Sequence, residues 1–497
     1  MTAPASPSRL RRVALNSSVY FVATLFTKSL SFLLLPLYTR VLTPDDYGII
    51  ALAQALAQLI ASIVQFGLHH AVSRFYYKHY QQPARLRTYL TTILAALIIE
   101  SAALGVVMTV FAETLAPLAF NRAGMREYFI LVAWLAPFTE VIEVTLITLL
   151  ASERPVAYSL VSSGRLFSLA MLNILFVIVF RMGARGSLLA NLLATGLLAV
   201  AAAMLFRSYF SIKLNWADLV QSFKFGLPLV PGLLSGWLLS YFDRIFLSHY
   251  GTYANVGIYA VGFTLGTIMT FVVTSVGQAW SPVFFKSMEE GSLQSRQRVI
   301  RATTLLVALY TVVAFGLVVL SREMVTIMTA PQYRAAATIM PLVVLYYYTS
   351  SLGGIMLDRV FFAGKTHWSS IITLMATAVT VAGNFVLIPR FGVTGAASAL
   401  ALGGVTAMVM GFVIGEKVYP LQYEYGAFFK MILAATLLVI CGLAVPEIGL
   451  MPSIGVKMGL VALLPIVILV LRAFSEDELQ AVREMARSVW RRVDRTL

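Results

Sequence analysis

The sequence predicts an all-α polytopic membrane protein with about fourteen transmembrane helices. Three observations carry that expectation. Of 497 residues, 59% are hydrophobic and 12% are charged; soluble domains hold about 45–50% and about 25%, so too few charges exist here to solvate a surface. The apolar residues come in blocks of roughly 20, the length a helix needs to cross about 30 Å of hydrocarbon. Glycine-centred motifs also recur with one period, which makes the helices two pseudo-symmetric copies of six with two more appended.

The elements follow in order. Residues 1–12 read as a cytoplasmic tail carrying Arg9, Arg11 and Arg12. The apolar stretch from Val13 to Tyr38 is too long for the core of a signal peptide, is interrupted by Lys28 and has no small-residue cleavage site, so it reads as a retained first helix. The next six spans begin near Asp46, Thr88, Met125, Val156, Ser187 and Ser222. The last seven begin near Val256, Ala302, Ala336, Trp368, Val393, Ala427 and Ile454. Residues 13–210 and 211–420 are the two expected bundles, 421–474 the two additional helices, and 475–497 a cytoplasmic amphipathic basic helix. That last segment opens on Ser475-Glu-Asp-Glu478, a capping-box start. It lies either on the anionic cytoplasmic leaflet or against the protein's own loops.

Charge sets the orientation. With the N-terminus cytoplasmic, 25 of the 37 lysines and arginines fall on the cytoplasmic side and 10 on the other, with Lys28 and Arg165 inside helices. This positive-inside bias places both ends in the cytoplasm. The net charge of +15 does not point to nucleic acid, because the basic residues sit at helix ends and in short loops. The lone cysteine, Cys441, excludes a disulfide within the chain and any cysteine metal cluster. In the turn between the first two helices, Thr43 suits an N-cap, Pro44 the first helical position, and Asp45 and Asp46 the positive helix end.

The repeat is visible as Asp46-Tyr-Gly48-Ile-Ile-Ala51 against Asn255-Val-Gly257-Ile-Tyr-Ala260, and Arg181-Met-Gly183-Ala-Arg-Gly186 against Arg390-Phe-Gly392-Val-Thr-Gly395. Gly48 to Gly186 and Gly257 to Gly395 are both 138 residues. A period of six helices keeps the two copies in one orientation, and parallel repeats of this kind place a binding cavity at their interface. Arg40 and Arg244 correspond if a short insertion follows the seventh helix.

A charge at mid-helix costs about 2.5–3.5 kcal/mol on insertion scales, so such residues are retained for a purpose. Lys28, Glu100, Glu140, Glu143 and Arg165 are of this kind, all in the first bundle. Asn16, Tyr20, Thr24 and Lys28 are four apart, with Ser31 close to the same line, so the first helix has a polar stripe that should face water. Lys28 either holds an anionic substrate group there or pairs with Glu100 at similar depth. Arg165 and Glu143 stand about eight residues from one short turn, at matching depth on neighbouring helices, and predict a salt bridge. Glu140 and Glu143 share a face; one left unpaired would suit proton coupling.

The seventh helix contains Gly226-Leu-Pro228-Leu-Val-Pro231, which should break or kink it, since both prolines remove backbone donors. Asp243-Arg244 at its outer end and Asp358-Arg359 at the inner end of the tenth helix are either gate ion pairs or snorkelling anchors. Gly364-Lys365-Thr366 lacks the upstream glycine and strand of a phosphate loop, and the histidines show no metal-ligand spacing. No nucleophile elbow and no large loop for an enzyme site are present.

The run Leu35-Pro36-Leu-Tyr-Thr-Arg40-Val-Leu-Thr-Pro-Asp-Asp-Tyr47-Gly48 resembles the opening of the oligosaccharide flippases, the O-antigen and polysaccharide exporters of the multidrug/oligosaccharidyl-lipid/polysaccharide (MOP) superfamily. Asp243-Arg244-Ile-Phe-Leu247 with Val256 to Ala260, and Ile388 to Gly395, are similar to the family's second half. The resemblance implies a MATE-like, V-shaped pair of bundles, no enzymatic activity, and export of an undecaprenyl-diphosphate-linked oligosaccharide across the bacterial inner membrane. It implies no cofactor, coupling to H+ or Na+, and a polymerase and chain-length regulator as partners alongside the lipid bilayer. Lys28, Arg165, Arg40 and Arg244 are the cations that match the family's diphosphate cavity. Glu100, Glu140 and Glu143 outnumber the two intramembrane cations, a departure from a strongly positive cavity. The rivals are a lipid II flippase, a cation-coupled multidrug exporter, whose first helix would want an acid where Lys28 stands, and a membrane glycan polymerase or ligase.

Overall fold

Backbone amides in hydrocarbon have no water to bond, so a chain this apolar satisfies them within helices. The computed structural model describes residue 32, residues 34–445 and residues 449–471, and among these all regular structure is helical. Of the predicted first helix, residues 32 and 34–38 are described and helical, whereas Val13, Asn16, Tyr20, Thr24, Lys28 and Ser31 lie outside the described residues, as does the expected basic helix at 475–497.

The chain divides into two compact units, Met1–Ala260 and Val261–Leu497. The first contains α1 (Pro44–Val64), α2 (Leu68–His79), α3 (Pro83–Val110), α4 (Ala112–Phe120), α5 (Arg126–Ala133), α6 (Leu135–Ala151), α7 (Pro155–Asn173), α8 (Gly183–Leu205), α9 (Trp216–Gly226) and α10 (Val230–Tyr250). Helix α11 (Tyr253–Gly266) begins in it. The second contains α12 (Ile268–Glu289), α13 (Leu293–Val319), α14 (Ser321–Met328), α15 (Ala336–Phe362), α16 (His367–Val418), α17 (Tyr425–Leu443) and α18 (Leu450–Val470).

Twelve helices of the described residues are long and apolar enough to cross a membrane. The longest, α16, is two spans joined at Gly392, whose φ of 55° and ψ of −127° are not helical. Thirteen of the expected fourteen spans thus have counterparts among the described residues.

In the first unit the predicted cap of α1 forms. The Thr43 side chain accepts from the Asp46 amide, and Asp46 accepts in return from the Thr43 amide at 3.3 Å, with Pro44 at the first turn. The two aspartates reach further than their own helix. Asp46 Oδ1 accepts from the Ala184 amide at 3.1 Å and Asp45 Oδ1 from the Ala254 amide at 3.2 Å. Both carboxylates thus meet the positive ends of neighbouring helices.

The second repeat motif carries a glycine of positive φ in each unit. Gly183 and Gly392 take φ of 58° and 55°, which L residues rarely adopt. Gly186 and Gly395 then press on a preceding carbonyl, that of Phe176 and that of Leu387. Phe176 lies ten residues before its glycine and Leu387 eight before. The surplus is taken up by wide π-helical turns over Ile174–Val179.

In the second unit, α18 is fastened by a buried ion pair. Lys457 Nζ lies 2.7 Å from Glu323 of α14, and Ser453 donates to the same carboxylate. Cys441 on α17 is exposed and unpaired.

Candidate functional site

The intramembrane charges of the first unit gather on α3, α6 and α7. Glu140 and Glu143, three apart on α6, lie on one side of the helix as their spacing requires. Arg165 of α7 meets Glu143 at 3.2 Å, with both side chains about one-third exposed, so the salt bridge expected from equal depth is present.

Glu140 is also paired, so neither of these two acids is left alone. His69 Nε2 lies 2.7 Å from Glu140 Oε2, and the glutamate side chain is 1% exposed. The partner comes from α2, a connecting helix, because Leu68, Ala71, Val72, Phe75, Tyr76 and His79 recur at helical spacing and bury α2 against its neighbours. That apolar stripe is the sequence signal for α2, and its packing on α6 carries His69 to Glu140. Burial opposes charge on the imidazole, but the hydrogen bond and charge of Glu140, with the charge of Glu143, outweigh it and raise the His69 pKa.

Of the three acids Glu100, Glu140 and Glu143, Glu100, half-buried on α3, is the one with no hydrogen bond or ion pair among the described residues. It lies within electrostatic reach of Glu140. Glu100 is thus the carboxylate left for a cation from outside this set.

The arginines differ among themselves. Arg40, at the end of the helical segment 34–41, is exposed. Arg244, its counterpart in the repeat, is buried against Asp243 at 3.2 Å and lies over the Tyr241 ring, while the Tyr259 hydroxyl donates to Asp243. Neither residue of that pair reaches solvent (2% and 6% exposed), so snorkelling does not describe it.

Asp358 and Arg359 do not pair with each other. Arg359 is 0% exposed and bonds Glu416 at 2.8 Å, whereas Asp358 accepts from the Trp280 indole at 2.9 Å. Adjacent residues on a helix point about 100° apart, so each found a partner on a different side.

Pro228 and Pro231 do interrupt the seventh span. A 3₁₀ turn at Leu227–Leu229 separates α9 from α10, and Pro231 sits in the first turn of α10. The break packs against the bend after α1, where Phe66 and Gly67 have φ of 40° and 71°. A Cβ on Gly67 would lie 2.4 Å from the Gly226 carbonyl oxygen.

Residues 13–288 match the family described as polysaccharide biosynthesis protein. Among curated proteins, the Lsg locus putative protein 1 of Haemophilus influenzae is 23% identical over 309 residues, covering 58% of this chain and 69% of the relative. Among solved structures, the lipid II flippase MurJ in an inward closed conformation superposes with a TM-score of 0.71 at 12% identity, over 90% of this chain and 97% of the other. A multidrug resistance MATE family transporter of the MOP superfamily, inward-facing, superposes with a TM-score of 0.60 at 15% identity, over 78% and 94%. The chain therefore has the fold of these MOP-superfamily proteins.

Proposed function

This chain belongs to the polysaccharide biosynthesis protein family, and from that premise we propose that it flips an undecaprenyl-diphosphate-linked oligosaccharide from the cytoplasmic to the periplasmic leaflet of a bacterial inner membrane. The product serves O-antigen, capsule or exopolysaccharide synthesis. The observation that carries the reading is the polysaccharide family match on a chain whose fold is that of membrane transporters. No covalent step is involved. The diphosphate is bound and released by alternating access, and direction follows from unequal binding in the two states. Both chain ends are cytoplasmic in this reading, the bundles are residues 13–210 and 211–420, and polymerase and chain-length regulator are the partners.

Among the cations, Arg244 is already neutralised by Asp243 and Arg165 by Glu143. The diphosphate role therefore falls first on Lys28 and on exposed Arg40, with Arg165 joining when Glu143 releases it. Glu100, Glu140 and Glu143 serve ion coupling. The break at Pro228 and Pro231 is the hinge, and Asp358 and Arg359 brace the second bundle's inner end.

Deletion of the gene from its host should deplete surface glycan and accumulate lipid-linked oligosaccharide on the cytoplasmic leaflet, with re-expression restoring both. Unchanged glycan with hypersensitivity to cationic drugs would instead make the chain an exporter of that class. Arrested peptidoglycan synthesis would make it a lipid II flippase.

A further inference from the structure

Helix α2 straps together two irregular points of the first unit. The chain leaves α1 through the positive-φ residues Phe66 and Gly67, and Gly67 rests backbone-to-backbone on Gly226, where the seventh span breaks. A Cβ on either glycine would come 2.4 Å from a backbone oxygen of the opposite segment, so bend and break form one joint. On one side α2 grips α9: the Phe75 and Phe225 rings are 5.9 Å apart and the Arg74 guanidinium is 4.6 Å from the Phe225 ring. On the other it grips α6 through His69, two residues beyond Gly67, at 2.7 Å from Glu140.

We propose that the His69–Glu140 pair is a proton-operated latch, closed when His69 carries its proton and released when it does not, which sets the joint between the end of α1 and the break before α10. The imidazole is part-exposed at 17% while the carboxylate is sealed at 1%, so protons reach the pair through His69. A neutral imidazole leaves the buried carboxylate without a counter-charge, an arrangement that low-dielectric surroundings do not sustain. Loss of the proton and separation of α2 from α6 are therefore one event.

The charges around His69 are few. From α6 come Glu140 and Glu143, the latter held by Arg165 of α7, and α3 carries Glu100 beside Glu140. Toward the far end of α2, Asp218 of α9 is paired with Arg85 of α3 at 2.9 Å, near His79. His70, Arg74 and Lys78 on α2 and Lys224 on α9 are exposed. Glu140 is the carboxylate bonded to His69, and its removal takes away the bond and charge that hold the imidazole protonated against burial. His69 acts here as a positioning residue, distinct from the groups proposed to hold the diphosphate.

The test uses the full chain in lipid nanodiscs with isotope-labelled histidine, H69Q assigning the His69 signal. Its titration midpoint should lie above the ordinary value of about 6.5 in wild type and fall in E140Q. Amide exchange over residues 68–79 should show about tenfold less protection at a pH above the measured His69 midpoint than at a pH below it in wild type, after correction for intrinsic rates. In H69K, whose side chain stays charged across that range, protection should persist at both pH values; in H69Q it should be low at both. A His69 midpoint at or below the ordinary value, or identical exchange in wild type and H69Q, overturns the latch.

The link to transport rests on the function proposed above, so the cellular arm is separate. H69K should insert normally yet lose surface glycan, because a latch that cannot open stops the cycle, and normal glycan in H69K overturns that link. Failure of wild type itself to restore glycan in the deletion strain would count against the transport reading, while the titration and exchange results would still decide the latch.

Discussion

Gly48 of α1 and Gly257 of α11 meet backbone to backbone. A Cβ on Gly48 would lie 2.0 Å from the Tyr253 carbonyl oxygen, and one on Gly257 would lie 2.0 Å from that of Pro44. These are the two glycines that the sequence repeat aligns, and small residues at helix crossings allow the close approach on which packing in a membrane depends. Gly48→Val or Gly257→Val should each destabilise the chain by about 1–3 kcal/mol through overpacking. Thermal unfolding of the purified protein in detergent measures this; unchanged midpoints would mean that the crossing is looser than described.

Arg359 is held near the C-terminal end of α15 by Glu416, by the Phe412 carbonyl at 3.3 Å and by the face of Tyr423 at 5.2 Å. Glu416→Ala removes its counter-charge and leaves a buried guanidinium, at a cost of about 3 kcal/mol. Arg359→Met in the same background should recover most of that loss, since the apolar side chain needs no partner. A double variant no more stable than Glu416→Ala alone would show that the charge is not what destabilises it.

The two histidines at the ends of α2 titrate in opposite senses. Burial lowers the His79 pKa, with Arg85 and Lys78 adding to the effect and Asp218 opposing it. A histidine depressed in the folded state contributes stability that is present above the unfolded value, about 6.5, and is lost as pH falls through the folded one. Wild type should therefore lose stability on acidification below that point, and His79→Gln should lose less. His69, raised by Glu140, contributes stability below the unfolded value and loses it as pH rises through its folded one. Unfolding midpoints recorded in small pH steps separate the two, and an acid limb unaltered by His79→Gln would contradict the assignment.

Lys28→Ala should abolish glycan export while preserving membrane insertion, because the proposed function gives Lys28 the diphosphate. Surface glycan and the amount of protein in the membrane fraction are the paired readouts. Normal glycan in that variant would remove Lys28 from the mechanism.

Much of the fold was legible because hydrocarbon leaves so little choice. Apolar length marks the spans, Pro228 and Pro231 mark a break that removed donors make unavoidable, and Thr43-Pro44-Asp45-Asp46 writes a helix start in local chemistry. Arg165 and Glu143 could be paired because both are counted from one turn. His69 could not be placed that way: its partner lies 71 residues away, and only the burial stripe of a connecting helix orients it. Arg359–Glu416 and Glu323–Lys457 were hidden for the same reason, with partners 57 and 134 residues apart. Of the two adjacent pairs that the sequence offered, Asp243 with Arg244 forms, whereas Asp358 and Arg359 each meet a partner on another helix instead.

The most direct measurement places the purified full chain in sealed vesicles with undecaprenyl-diphosphate oligosaccharide labelled on its sugar, and follows how much label an impermeant glycosidase can reach. The account predicts that the protein carries the inner-leaflet fraction into reach within the assay and that Lys28→Ala does not. Access confined to the outer leaflet, equal in protein-containing and protein-free vesicles, would contradict it.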